Sequence, residues 1–429
     1  MKAMSEFFFH RGLILTIYPS NKQKHIIRQN GSSARFVYNR LVAVNEELYH
    51  LRKAGTYLKP VQDRIDYLKE AYSSAKNIAN AIPFLTQKDI DSDMIANTIK
   101  NYASAWKKYR EEPNTGIPTY HKKDGTYSYQ TSNHYKFSKK PNSRGLYDGM
   151  IRFLDKNHIK LPILGRVRFK CSKKEIETLF NFPDEVRIGS CRISIDNIGR
   201  CYVSLSLASD TPFYEPFPET HSACGIDLNL SNFLYCSDGT QIDNPKFNRS
   251  LQHKISREQR KLSLKRVRAE KEGRNFYDSK NYQEQKKKVA SLQAKAARRR
   301  SNFHWNTANE IVKSHDYIFA EELKVKNLLK NHKLAYAISD VSWSEFLRKL
   351  GWSAEKRGKT FLKVNPKNTT QTCSECGHIC AGEEHIKLGV EDWICPVCGT
   401  HHIRDYNASK NILALGLKVL EEAGITPAL

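Results

Sequence analysis

No run of apolar residues in this 429-residue chain approaches the ~20 that a membrane-spanning helix needs. The early Phe7-Phe8-Phe9 cluster is too short, and too soon broken by His10 and Arg11, to serve as a signal peptide. The chain is therefore expected to stay inside the cell. Negative charge is also in short supply, with 45 acidic against 70 basic side chains and a net charge of +25. An excess of that size attracts a polyanion, and nucleic acid comes before a membrane surface. Cysteine is not scarce, but disulfide spacing is missing. Four of the ten cysteines form two Cys-x-x-Cys pairs, and Cys171, Cys191, Cys201, Cys224, Cys236 and Cys380 fit no framework. In a reducing compartment these six are expected as packed thiols, with Cys380 close enough to the pairs to compete as a ligand.

What is present describes a folded protein. A hydrophobic share of 39% and a charged share of 27% exclude a disordered chain. The length points to about two to four domains of ~100–200 residues.

Residues 7–18 are rich in β-branched and aromatic side chains and stop at Pro19-Ser20, which predicts one strand. The next segment places Val37, Leu41, Val44, Leu48 and Leu51 on one helical face. A second helix carries Ile95, Ile99, Tyr102, Trp106 and Tyr109, with Lys100, Lys107, Lys108 and Arg110 on other faces. Pro113, Gly116 and Pro118 end it. The span 33–110 reads as a small helical domain whose basic side suits a phosphate backbone.

From residue 120 to 209 the pattern turns to short strands, including a hairpin about Asp196-Asn197-Ile198-Gly199. That predicts a small β-barrel or sandwich, which the strand at 7–18 joins. Residues 124–147 read as a loop whose tyrosines are available to stack on bases. Thr211–Thr220 holds three prolines and reads as a linker. Beyond it, a strand around Asp227 returns through Phe233, Leu234 and Tyr235. Residues 253–300 form a basic helical hairpin, with seventeen basic against five acidic residues between Lys254 and Arg300. That balance favours a nucleic-acid contact over a merely solvated face. A buried strand ends at Glu321-Glu322, a polar loop follows, and then an amphipathic helix at 342–358 and a strand at 360–366.

Two features carry chemistry. Asp227 lies in an apolar strand, Glu321 ends a later strand beside its rival Glu322, and Asp405 opens the last helix. Buried carboxylates repel one another unless a cation joins them. A pair of Mg²⁺ ions would neutralise them and clamp the attacking and leaving oxygens of a phosphodiester, as strand hydrolysis requires. The second feature is Cys373/Cys376 and Cys395/Cys398, separated by eighteen residues. This is the spacing of a structural Zn²⁺ ribbon, with Gly377 and Gly399 allowing the knuckle turns. Four thiolates leave no open position, so this zinc would be structural.

In chain order, GIDLNLSNFLYCSDG, FAEELKVKNLL, SDVSWSEFLRKL, QTCSECGH, WICPVCG and HIRDYNASKNI closely resemble the TnpB proteins of bacterial and archaeal insertion sequences. IYPSNKQ, SSARFVYNR and IKLPILGRV extend the resemblance over nearly the whole chain. It departs at Ala408-Ser409 and at Ile403, neither of which touches the three acids, and the chain ends without a long tail after Ala423-Gly424-Ile425.

The resemblance implies an RNA-guided DNA endonuclease, related to compact type V CRISPR effectors, that reads a short target-adjacent motif. The implied fold is multidomain α+β: an RNase H-like RuvC nuclease domain with an inserted zinc ribbon, plus an N-terminal β-barrel wedge with an inserted helical recognition domain. The implied layout is wedge at 1–32 and 119–210, recognition helices at 33–118, linker at 211–220, nuclease at 221–372 and 401–429, and ribbon at 373–400. Its catalytic, Mg²⁺-holding acids fall on Asp227, Glu321 and Asp405, and its zinc ligands on Cys373, Cys376, Cys395 and Cys398. Candidate nucleic-acid contacts are Lys100, Lys107, Lys108, Arg257, Arg260, Lys261, Arg298, Arg299, Arg300 and Arg404. The expected partners are a guide RNA and double-stranded target DNA, in the cytoplasm at the nucleoid. A monomer is favoured, with a homodimer as the alternative. Competing readings are a compact CRISPR effector, a repressor that binds without cutting, and a transposase joining DNA ends.

Overall fold

The computed structural model describes residues 2–427 apart from 56, 136–148, 182–184, 248, 250, 324, 366 and 388. Two compact units divide the chain, Met1–Phe213 and Tyr214–Leu429.

In the first unit, strand β1 (Phe9–Tyr18) buries Leu13, Leu15 and Ile17 by simple alternation. Pro19 stops it, and Ser20 caps helix α1 (Asn21–Ala54) through a reciprocal bond pair with Gln23. The helix therefore starts well before the apolar face at Val37, Leu41 and Val44 that betrays it in the sequence. Helices α2 (Lys59–Ala71), α3 (Ala75–Ala81) and α4 (Ser92–Glu111) follow, and α4 buries Met94 and Ile95.

The remaining elements are β2 (Tyr127–Thr131), β3 (Arg152–Asp155), β4 (His158–Leu161), β5 (Gly165–Lys170), α5 (Lys173–Phe180), β6 (Arg187–Ile195) and β7 (Cys201–Ser209). They build one antiparallel sheet, in the order β2-β6-β7-β1-β5-β4-β3, rather than the two facing sheets of a sandwich. The expected hairpin is β6–β7, with Ile193 opposite Val203 and the Asp196 carboxylate accepting the Ile198 and Arg200 N–H groups. Strand β2 corrects the loop expected at 124–147. Its alternation runs through Ser and Gln on the outer positions, so apolar periodicity hides it, while Tyr129 and Thr131 are buried. Residues 136–147 of that stretch lie outside the described residues.

The second unit opens with β8 (Ala223–Asp227), β9 (Asn232–Cys236) and β10 (Gln241–Asp243). The basic hairpin is α6 (Gln252–Lys271) and α7 (Lys280–Ser314), so its second arm runs past residue 300 into the core through Ala308, Ile311 and Val312. Strand β11 (Tyr317–Glu321), α8 (Val325–Leu328), α9 (His332–Val341), α10 (Trp343–Lys356) and β12 (Thr360–Val364) follow. The polar loop expected after Glu322 is thus partly helical, and Ile338 and Val341 of α9 reach the core. Last come β13 (Asp392–Ile394), β14 (His401–Ile403) and α11 (Arg404–Glu422).

The mixed sheet runs β10-β9-β8-β11-β12, with β8, β11 and β12 parallel and β8–β10 antiparallel. Its central strands are buried on both faces, as parallel strands covered by helices must be. Alternation sorts the faces. Cys224, Ile226, Ile318 and Ala320 pack with α7 and α10, whereas Phe319 packs with Ile412 and Leu420 of α11. Gly225 makes the α11 side possible, because a Cβ there would lie 2.1 Å from the Ser409 carbonyl oxygen. Among the described residues no helix is long and apolar enough to cross a membrane.

Candidate acidic site and metal centre

The parallel register pairs Phe319 with Gly225 and Ala320 with Ile226. One residue further, it brings Glu321 beside Asp227. Both continue the odd positions that face α11, and α11 begins with Arg404-Asp405. Three carboxylates distant in sequence therefore meet at one end of the sheet. Alternation also decides between the neighbouring glutamates: Glu322 is exposed, with its N–H donating to the Val364 carbonyl at 2.8 Å.

The electrostatics follow from burial. Asp227 is only 5% exposed. Burial pushes its pKa well above the usual carboxylate range, and Glu321 and Asp405 add to the rise while Arg404 opposes it. Glu321 is raised by burial to about 7. Asp405 is raised by burial, against the pull of Arg404 and a hydrogen bond from Asn229. Asn229 is in turn fixed by accepting the Asn232 N–H at 2.7 Å. The sequence does not reveal this contact; the position of Asn229 two residues after Asp227 is the only signal for it. Among the described residues no ion pair neutralises Asp227 or Glu321, so a cation between the carboxylates would relieve the crowding. Arg404 Nε is buried without a hydrogen-bond partner.

The four paired cysteines also converge, all Sγ atoms lying within 4.8 Å of one another. Cys373 and Cys398 are 3.6 Å apart, as are Cys376 and Cys395. A tetrahedral Zn²⁺ with Zn–S bonds of ~2.3 Å needs sulfurs roughly 3.8 Å apart, so this set fits the ion. Gly377 and Gly399 take the positive φ angles, +75° and +70°, that the knuckles require. His402, 6% exposed, places Nε2 3.0 Å from Cys373 Sγ and lies tilted against Trp393, a contact the sequence reading did not find. Cys380 stands outside the four. All ten cysteines are free thiols.

The basic candidates separate into groups. Lys100, Lys107 and Lys108 are exposed on α4, the last two beside Glu111 and Glu112. Arg257, Arg260, Lys261, Arg298 and Arg299 are exposed on the α6–α7 hairpin. Arg300 turns inward, with its guanidinium 3.8 Å from the Asp340 carboxylate and donating to the Asp340 carbonyl. Arg404 belongs to the acidic site.

Three family models match the chain: a helix-turn-helix domain of the OrfB/IS605 type over residues 10–54, a probable transposase of that type over 204–332, and a Cas12f1-like TNB domain over 343–412. The first matched segment folds here as a strand and one long helix. A putative RNA-guided DNA endonuclease of Streptomyces pristinaespiralis is 33% identical over 55% of this chain and 54% of its own length, so the chain spans about half of that relative. The putative RNA-guided DNA endonuclease InsQ of Escherichia coli K12 is 26% identical over 98% of this chain and 94% of its own. A solved Cas12f1–sgRNA–target DNA complex aligns over 94% of this chain and 98% of its own, at 12% identity and a TM-score of 0.48, too loose a likeness to argue from. OrfB models match the opening and the middle of the chain, InsQ aligns with it almost end to end, and both likenesses agree with the resemblance to TnpB proteins carried by its motifs.

Proposed function

We propose that this protein is an RNA-guided DNA endonuclease. Base pairing with a bound RNA reads the target sequence, the protein reads a short adjacent motif, and the acidic site hydrolyses the phosphodiester. The observation that carries this reading is the convergence of Asp227, Glu321 and Asp405 at one end of the mixed sheet, crowded and, among the described residues, with no ion pair to Asp227 or Glu321. The names of the relatives point the same way. The second unit is then an RNase H-like RuvC nuclease, a reading its mixed five-stranded sheet supports. The cysteine module at 373–400 is its zinc ribbon. In the first unit, the sheet is the wedge and helices α1–α4 are the recognition insert; because α1 is continuous from Asn21, the boundary expected at 32/33 moves to Ser20.

The donor set suits Mg²⁺, since it is all carboxylate oxygen, with neither thiolate nor imidazole. Bound Mg²⁺ would make an attacking water more acidic and stabilise charge on the departing oxygen. The chain's own residues do the rest. Asp227, Glu321 and Asp405 hold the cation in their ionised forms, and Asn229 fixes the carboxylate of Asp405. Arg404 keeps a cation beside the acids, where its charge favours the ionised forms of Asp227 and Asp405. The exposed cations of α4 and of the α6–α7 hairpin hold nucleic-acid backbone.

Retention of all three acids argues against a repressor that has lost cleavage. The Cas12f1-like match keeps a compact CRISPR effector as the second reading, which a repeat–spacer array beside the gene would favour. To test the proposal, the protein is purified, the RNA that accompanies it is sequenced, and cleavage is assayed on a target library with randomised flanks. A discrete RNA and cutting beside one enriched motif are expected. No bound RNA and no cutting would refute it.

A further inference from the structure

The ribbon holds a second set of ligand-type side chains that the four paired cysteines do not use. His378, Cys380 and Glu384 bring a ring nitrogen, a sulfur and a carboxylate oxygen within 4.8 Å of one another. His378 Nε2 lies 2.7 Å from Glu384 Oε2.

The backbone fixes this cluster from both sides. The Cys373 N–H donates to the His378 carbonyl at 2.8 Å, and the Cys380 N–H donates to the Gln371 carbonyl at 2.9 Å. The Gln371 side chain brackets Ile386, accepting its N–H at 2.9 Å and donating to its carbonyl at 3.0 Å. Glu384 closes a single 3-10 turn, Gly382–Glu384, between these anchors.

Cys380 is 2% exposed, and its thiol has no hydrogen-bond partner among the described residues. A structural buried thiol packs as a small hydrophobe. Cys380 does pack with Ile386 and Trp393, but its sulfur also lies within 4.8 Å of an imidazole and a carboxylate that are bonded to each other, a setting that packing alone does not require.

We propose that His378, Cys380 and Glu384 form a second divalent-metal site, separate from the tetrathiolate, that takes Zn²⁺. Thiolate and imidazole select a borderline-soft ion over Mg²⁺, and three protein ligands leave one position for water. Ligand atoms ~2.0–2.3 Å from such an ion sit roughly 3.3–3.8 Å apart. The His378–Glu384 pair must therefore open slightly, which the 47%-exposed Glu384 side chain can do by rotation. With one ligand fewer, this site binds more weakly than the four cysteines.

The test is a metal count on the full chain, purified with Zn²⁺ and freed of unbound ion. Two zinc ions per chain are expected, falling to one after brief treatment with a weak chelator. His378→Ala and Glu384→Gln, both at partly exposed side chains, should each lower the count to one. In Co²⁺-substituted protein, Cys380→Ser should remove one thiolate-to-cobalt absorption component and leave that of the four cysteines. If Cys380→Ser fails to fold, the other two variants still decide. One zinc in the parent protein, or two in both His378→Ala and Glu384→Gln, overturns the proposal. The count is independent of cleavage, so it stands or falls apart from the nuclease reading.

Discussion

Asn407 ties the helix that carries Asp405 to Ser374, the residue beside Cys373. Its Oδ1 accepts the Ser374 N–H at 2.9 Å, and its Nδ2 donates to the Thr372 carbonyl at 2.7 Å. One turn on, Asn411 donates to the Thr369 and Thr372 carbonyls at 2.8 and 2.7 Å. The first cysteine knuckle and the third acid therefore ride on one helix, and disturbing either should be felt at the other.

Asn407 is 1% exposed, and Asn407→Ala leaves the Ser374 N–H without its acceptor, whereas the Thr372 carbonyl keeps the bond from Asn411. A loss of about 1–3 kcal/mol is expected. Denaturant unfolding measures it, and zinc analysis should show the metal retained while cleavage falls. Unchanged stability would show that the latch contributes nothing.

Asp227→Ala should abolish strand cleavage and leave RNA-dependent DNA binding nearly intact. Asp227→Asn should do the same and also raise the melting temperature of metal-free protein near neutral pH, because it removes the cost of either burying the charge or protonating the carboxyl there. Undiminished cutting by either variant would sink the catalytic assignment.

The raised pKa of Glu321 has a definite sign. Its reference value is 4.5 and its folded value about 7. Stability linked to its protonation is thus complete below the unfolded value and lost as pH rises through about 7, by about 3 kcal/mol at most. Metal-free protein should melt progressively lower from about pH 5 to about pH 8.5, more steeply than Glu321→Gln. Added Mg²⁺ should flatten the profile, since it binds the ionised form. Parallel profiles for the two proteins would contradict this.

Serine at both Cys395 and Cys398 should release the tetrathiolate zinc and loosen the ribbon, with a loss of stability and of activity. Metal analysis and thermal unfolding report it. A parent protein without zinc would refute the assignment.

The hairpin cations should divide by exposure. Arg257, Arg260, Arg298 and Arg299 changed singly to Ala should each weaken nucleic-acid binding and lower the slope of log K against log salt by up to about 1. Arg300→Ala should instead cost stability, because it leaves Asp340, 5% exposed, without its guanidinium. A salt slope unchanged by all four exposed variants would remove the hairpin from the interface.

Much of this was legible in the linear chain, because it rests on short-range pattern. Alternation marked β6 and β7, β-branched and aromatic richness marked β1, and apolar stretches marked the strands around Asp227 and Glu321. Periodicity marked α1, α4 and α10, and the Cys-x-x-Cys spacing marked the sulfur cluster. Strand β2 stayed hidden because its outer positions are polar, and α9 because it sits in a polar setting. Local signals likewise could not choose between Glu321 and Glu322. That choice needed the parallel register with β8 and the position of α11, which puts odd-numbered residues on one face and leaves Glu322 outside. Nor could they assign Asn229 to Asp405, Asn407 to the first knuckle, or Cys380 to His378 and Glu384 rather than to the four cysteines. Residue type and spacing determine which elements form and which side chains can ligate. Only the tertiary fold decides which of those side chains meet, because strand pairing and helix packing close distances that no local pattern encodes.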